Sequence, residues 1–324
     1  MPIRTGRACY HLTQYLKRNF INQGGYNVIR ETSFSGVWCP SITPMNNEGK
    51  PDLSALSQHI ARLAAAKIDV VLLMGSIGEF ASFSLEERLL LIREARGMSP
   101  ITMVANVSST CFNDILWMAD EAWRTGYDAV MVLPPYYYGQ TQNQLLSYFR
   151  ALGKAISGKW FAYNFPARTG CDLTPELVAT LAAEFPDFAG IKETVDCQSH
   201  TRNMIQATAQ VREDFAVLCG YDEYFIPTLL AGGAGVISGL NNVMPELFVQ
   251  AREAWRQGDL PTLHATQQEI GKFMAIYAIG DDFVTTIKTV VSRKFGYCTP
   301  VSRNFGGTLN EAQCQIIDRV FGIQ

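Results

Sequence analysis

Lys192 is the residue of this chain whose type and setting point most directly to covalent chemistry. It stands in Phe188-Ala-Gly-Ile-Lys-Glu-Thr194, a short apolar run with the composition of a buried strand. A lysine there costs several kcal/mol of desolvation unless its amine becomes neutral. A neutral amine is the form that attacks a ketone to give an imine. The sequence has nine lysines, and the other eight fall in the leader, in loops, at element ends or on helices with a polar face. Lys192 is the outlier.

Two further groups could work with that amine. Tyr163, in Tyr163-Asn-Phe-Pro166, can carry a proton between hydroxyls when a hydrogen-bonded partner tunes it. Gly75-Ser76-Ile77-Gly78 reads as a turn leading toward a helix start, where free amides and a serine hydroxyl favour a carboxylate. Each has a plainer reading alone: a tyrosine packed at a rim, a glycine turn that only shapes a loop. Together, cradle, phenol and buried amine are the parts of a Schiff-base enzyme acting on a 2-keto acid.

Such groups need a frame that brings distant segments to one place. From Phe34 onward, short Val-, Ile- and Leu-rich runs alternate with amphipathic helices every 25 to 35 residues or so, the pattern of parallel βα units. The strands expected are Gly36–Thr43, Val70–Gly75, Ile101–Val107, Ala129–Leu133, Trp160–Asn164, Ala189–Lys192, Ala216–Gly220 and Gly235–Ser238. Helix starts are explicit. Ser84-Leu-Glu-Glu87 is a capping box, and Thr174-Pro175-Glu176 is an N-cap followed by proline, with Leu177, Val178, Leu181, Ala182 and Phe185 forming one apolar stripe behind it.

Eight such units predict an α/β fold, a TIM (β/α)₈ barrel over residues 34–258. Helices at Thr262–Ala278, Asp282–Phe295 and Leu309–Phe321 then follow the last barrel helix, Pro245–Gln257, as a C-terminal extension over 259–324. An extension of that size covers the barrel or builds a subunit interface.

In these barrels the chemistry lies at the C-terminal strand ends. Those ends carry Gly75-Ser-Ile-Gly-Glu79, Pro134-Pro-Tyr-Tyr-Tyr138, Tyr163-Asn-Phe-Pro166 with Ala167-Arg168-Thr169-Gly170, Lys192-Glu193-Thr194 and Gly220-Tyr-Asp-Glu223. Gly232-Gly-Ala-Gly235 precedes strand eight, on the wrong face for a substrate, and is discounted as a phosphate loop.

The 324 residues are 48% apolar with a net charge of −3. No basic excess points to nucleic acid, and no apolar run reaches the ~18 residues of a membrane span. Eight scattered cysteines without a C-x-x-C pair fit reduced thiols in a cytoplasmic protein. His11, His59, His200 and His264 form no metal-binding cluster, and His59 and His200 read as capping or satisfied side chains. Residues 1–33 read as a leader: basic, with no acid before Glu31. It is either a transit peptide or not native protein at all, since Gln23-Gly-Gly-Tyr-Asn-Val28 could be a translated ribosome-binding sequence with a start codon at Val28.

The motifs G-S-x-G-E, P-Y-Y, Y-N-x-P and G-I-K-E-T, in that order, resemble the dihydrodipicolinate synthase / N-acetylneuraminate lyase family of class I pyruvate-dependent aldolases. The resemblance runs from about Gly36 to at least Pro245. It implies Lys192 as the Schiff-base lysine, Tyr163 as the proton-shuttling tyrosine, and Gly75, Ser76 and the Ile77 amide as the keto-acid carboxylate site. It implies that Tyr137 reaches a neighbouring subunit's site in a homo-oligomer, a dimer of dimers. The only covalent group needed is the imine through Lys192; no cofactor, metal, nucleic acid or membrane is implied.

Ile77 departs from the family, which usually has a second hydroxyl residue there. Arg168 resembles the synthases' arginine for a second carboxylate, a task that suits a planar guanidinium; alternatively it is a surface ion pair. Asp222 and Glu223 resemble the lyases' acceptors of sugar hydroxyls, or else cap the next helix. Asn164-Phe-Pro, Lys192-Glu-Thr194-Val-Asp196 with His200, and Cys219-Gly-Tyr-Asp222 look most like the 2-keto-3-deoxy-sugar-acid aldolases, which release pyruvate and an aldehyde. The synthase, a keto-deoxy-diacid dehydratase and a catalytically silent keto-acid-binding barrel are the alternatives.

Overall fold

The computed structural model describes residues 32–323. Nearly all of the predicted leader, including Gln23–Val28, lies outside the described residues. Eight parallel strands pair in sequence order and close on themselves: β1 Gly36–Pro40, β2 Val70–Leu73, β3 Thr102–Asn106, β4 Ala129–Val132, β5 Trp160–Asn164, β6 Phe188–Glu193, β7 Ala216–Cys219 and β8 Gly235–Ile237. Each is followed by a helix: α1 Leu53–Ala65, α2 Leu85–Ala95, α3 Phe112–Thr125, α4 Gln142–Ala155, α5 Pro175–Glu184, α6 Gln198–Ala209, α7 Phe225–Leu230 and α8 Pro245–Gln257. This is the TIM barrel the alternation predicts. Among the described residues, no helix is long and apolar enough to cross a membrane.

The local signals act as read. Ser84 and Glu87 form the reciprocal capping box of α2, and Thr174 accepts the Leu177 amide ahead of Pro175 in α5. Strand ends differ where the backbone leaves the ladder. The apolar pattern continues past Pro40, but the Ile42 amide donates to the Asn242 side chain instead of a strand, so β1 stops at Pro40. Similarly, β2 ends at Leu73 because Met74 takes a left-handed conformation, φ 54°.

One irregularity decides which way the chemistry faces. Between β5 and β6, Trp160 pairs with Phe188 but Phe161 pairs with Gly190, leaving Ala189 as an extra residue. Trp160 and Phe188 stack outside the barrel, rings 4.1 Å apart, whereas Phe161 packs inside against Trp38. A Cβ on Gly190 would collide with the Ala216 carbonyl and the Phe161 ring, so only glycine fits there. After this bulge Tyr163 and Lys192 are register partners.

The extension follows α8 with α9 Leu260–Phe273, a 3₁₀ stretch Met274–Ala278, α10 Phe283–Phe295 and α11 Glu311–Phe321. The predicted 262–278 helix is therefore broken at Phe273. Ile270, Ile276, Ile287, Val290 and Ile317 from this region join the same apolar core as the barrel.

Candidate active site

Tyr163 and Lys192 point from neighbouring strands into the barrel, 1% and 5% exposed. Lys192 Nζ lies 3.1 Å from the Tyr163 hydroxyl and 4.2 Å from its ring centroid. That hydroxyl is in turn 3.2 Å from Ser76 Oγ. Amine, phenol and serine hydroxyl thus form one unbroken polar line across the barrel top.

Ser76 is held by a tight turn. A Cβ on Gly78 would stand 2.9 Å from Met74 Cα and 3.0 Å from the Ser41 carbonyl, so glycine is required there, whereas a Cβ on Gly75 would make ordinary contacts. The Glu79 amide donates to the Ser76 carbonyl at 3.1 Å. The turn does not lead directly into the expected helix start. Phe80–Ser82 is a single 3₁₀ turn, and α2 begins only at Leu85. Free amides within the turn itself, rather than a helix dipole, are what it offers a carboxylate.

A cavity of about 300 Å³ opens above these groups. Ser76, Ile77, Tyr163, Arg168, Lys192, Thr194, Asp222 and Glu223 all line it. Tyr137 does not; it is 80% exposed, with its ring against Tyr138. Gly75 sits behind the wall.

The wall also holds Met274, Tyr277 and Phe283 from the extension, which sequence reasoning missed. No periodicity announces which residues of an added helical segment fold over a barrel mouth. The Tyr277 hydroxyl donates to Asp222 Oδ2 at 2.6 Å, and burial pushes the Asp222 carboxyl above its ordinary range. Asp222 and Glu223 make no side-chain cap on the next helix. Glu223 Oε2 and Thr194 Oγ1 are buried without a protein partner, so hydroxyl-bearing ligands would satisfy them. The Arg168 guanidinium lies 5.9 Å from the centroids of both the Phe165 and Phe283 rings and pairs with no carboxylate among the described residues. The ion-pair reading is therefore not what the structure shows.

Behind Lys192 lies a charged cluster. Glu193, pointing outward, is 3.1 Å from His200 Nδ1, while His200 Nε2 is 3.0 Å from Asp172. Asn164 Nδ2 bridges Asp172 and Glu193. Hydrogen bonds to Asp172 and Glu193 push His200 up to about 10. The bland reading of His200 holds, with a charge added. His59 is likewise satisfied, between Tyr297 and Asn242, and burial lowers it to about 3.

Protonation of His200 is linked to folding. Its folded value lies above the unfolded one, ~6.5, so its stabilisation is complete below that pH and declines until pH passes about 10. Wild type is expected to lose melting temperature across this interval, and His200→Gln to lose less. Thermal melts in matched buffers check this; parallel curves for the two proteins would refute it.

Lys192 is not the sole lysine removed from water. Lys288, in the middle of α10, is fully buried and ion-paired with Glu79, also buried. The polar-face reading of that helix fails because Val284–Val291 is buried on every side. Desolvating such a pair costs several kcal/mol per ion, which the mutual attraction offsets only with good geometry.

The dihydrodipicolinate synthetase family model matches residues 33–304. The chain is 33% identical over 257 residues to the probable 2-dehydro-3-deoxy-D-pentonate aldolase YjhH of Escherichia coli K12, covering 79% of this chain and 85% of that protein. It is 32% identical over 240 residues to the 4-hydroxy-tetrahydrodipicolinate synthase of Methanopyrus kandleri, covering 72% and 78%. The crystal structure of YagE from E. coli K12, a prophage protein of the dihydrodipicolinic acid synthase family in complex with pyruvate, superposes with a TM-score of 0.86 at 29% identity, covering 90% of this chain and 99% of that one.

Barrel and relatives together define a carbon–carbon lyase. The chain belongs to the dihydrodipicolinate synthetase family.

Proposed function

We propose that the chain cleaves a 2-keto-3-deoxy sugar acid to pyruvate and an aldehyde through an imine on Lys192. The observation that carries this reading is the line from Lys192 Nζ through the Tyr163 hydroxyl to Ser76 Oγ, at 3.1 and 3.2 Å. The neutral amine adds to the C2 ketone, and loss of water gives an iminium. That cation accepts the electron pair of the C3–C4 bond as the bond breaks. Tyr163, relayed through Ser76, takes the C4 hydroxyl proton, and the aldehyde leaves. The remaining enamine is protonated at C3, and water releases pyruvate and the free amine.

The Ser76 hydroxyl and the Ile77 amide bind the keto-acid carboxylate. Tyr137 serves the relay from a neighbouring subunit of a homo-oligomer. Thr194 and Glu223 accept or share hydrogen bonds with the sugar hydroxyls, since their buried oxygens lack protein partners. Asp222 is committed to Tyr277 and shapes the wall. YjhH and YagE, the latter named a putative 2-dehydro-3-deoxy-D-gluconate aldolase, support a sugar-acid substrate.

Borohydride reduction with pyruvate tests the imine: mass spectrometry should find a stable adduct on Lys192. A folded protein that gains no mass would support a silent keto-acid-binding barrel instead.

A second reading rests on Arg168, whose unpaired guanidinium at the cavity suits a distal carboxylate. Aspartate semialdehyde, the synthase's partner for pyruvate, has one, and so does a keto-deoxy diacid. Arg168→Leu decides between them. A sugar-acid aldolase should keep kcat/KM within about threefold, whereas an enzyme that grips a second carboxylate should lose on the order of 10²-fold. Pyruvate release from 2-keto-3-deoxygluconate, measured beside aspartate-semialdehyde consumption, reads both.

A further inference from the structure

Two residues that bracket the Gly75–Gly78 turn hold backbone conformations that side chains rarely adopt. Met74 has φ 54° and Glu79 has φ 58°. Non-glycine residues stay in the left-handed region only where their surroundings over-determine them. At the Met74 end, Asn106 Nδ2 donates to the Met74 carbonyl at 2.7 Å. At the Gly78 carbonyl, Thr43 Oγ1 donates at 2.8 Å. Both of these restraints come from the barrel.

The Glu79 end is held from elsewhere. Its carboxylate takes an ion pair from Lys288 on α10, a hydrogen bond from Ser302 Oγ at 2.9 Å and one from the Arg303 amide at 2.7 Å. Lys288 also donates to the Val301 carbonyl at 2.8 Å, so one ammonium grips both Glu79 and the segment that binds it. That segment is anchored independently. The Arg303 guanidinium forks onto Glu87 at 2.8 and 2.6 Å and lies 4.3 Å from the Phe83 ring.

What this end controls is a single peptide plane. The Glu79 amide donates to the Ser76 carbonyl, and that carbonyl shares its peptide with the Ile77 amide. Turning Glu79 out of its left-handed conformation therefore turns the Ile77 N–H. Ile77 has no side-chain donor, so at that position this N–H alone, beside the Ser76 hydroxyl, can meet a carboxylate.

We propose that Lys288, sealed against Glu79, is a positioning residue that aims the Ile77 amide at the keto-acid carboxylate. The inference rests on the imine reading given above. A buried ion pair contributes little net stability against an apolar replacement, and in some proteins such a pair fixes one geometry among several. Here the geometry fixed is that of the carboxylate cradle, and the element fixing it is the C-terminal extension.

The test follows borohydride trapping of pyruvate on Lys192 as a function of pyruvate concentration. Lys288→Met should raise the half-saturating concentration about tenfold or more, because a misaimed donor removes ground-state binding. The trapping rate at saturation should stay within about threefold of wild type, since the amine and phenol are untouched. Ser302→Ala removes one bond to Glu79 from a half-buried position and should raise half-saturation about two- to fivefold, keeping the test open should Lys288→Met not fold. A merely structural role would lower the melting temperature and leave half-saturation of the folded fraction unchanged; that result overturns the proposal. So does a fall in the saturated rate with unchanged half-saturation. Wild-type protein that takes no label overturns the imine reading, and this inference with it. Labelled wild type with unshifted variants overturns the inference alone.

Discussion

Lys192→Met is expected to abolish pyruvate trapping and to lower pyruvate release from a 2-keto-3-deoxy sugar acid by on the order of 10⁴-fold or more. Methionine keeps the length and apolar stem of lysine, so packing against the Tyr163 ring survives while the nucleophile is lost. The fold should tolerate it, because the change replaces a desolvated amine by a thioether in an apolar setting. Intact-mass measurement after reduction, with a thermal melt beside it, checks both halves. A variant that still takes the label would place the imine on another lysine. Lys288 cannot serve, since it is locked against Glu79 away from the cavity.

Tyr163→Phe should leave that adduct forming yet lower turnover by about 10²–10⁴-fold, the range that one positioned proton carrier supplies. The phenyl ring still fills the space beside Lys192 and stacks with Phe165. What goes is the oxygen that links Lys192 Nζ to Ser76 Oγ, so imine formation and carbon–carbon cleavage should separate. Single-turnover kinetics with the sugar acid, read against trapping with pyruvate, measures the two. Equal losses in both would mean that Tyr163 acts mainly on the amine. Turnover near wild type would remove it from the proton path.

The barrel was legible because its signals are local and repeated eight times: apolar runs, caps at Ser84 and Thr174, helices between. Lys192, Tyr163 and Ser76 could be picked out because each stands at a strand end whose neighbours have no need of its chemistry. Tyr277 and Phe283 could not, since their place at the cavity depends on how an added helical segment folds back over the barrel. Lys288 departs from its expected polar face for a related reason. Periodicity gives a helix a polar face, but it does not say that another element will cover that face and supply a carboxylate. The Glu79 side chain looked like the tail of a motif, and its partners lie more than 200 residues away in sequence.

Ala189 touches none of the reacting groups, yet it decides where the nucleophile points. On a pleated strand, side chains alternate faces, and Phe188 looks outward. Strict alternation from there would send position 192 outward too, toward the helices. The surplus residue inserts a half-step, so that Lys192 turns to the lumen and Glu193 to the rear. At this point the chain is sensitive to parity more than to composition: another small residue in place of Ala189 keeps the phase, whereas a one-codon deletion after the bulge, at Ile191, would exchange the amine for its acidic neighbour.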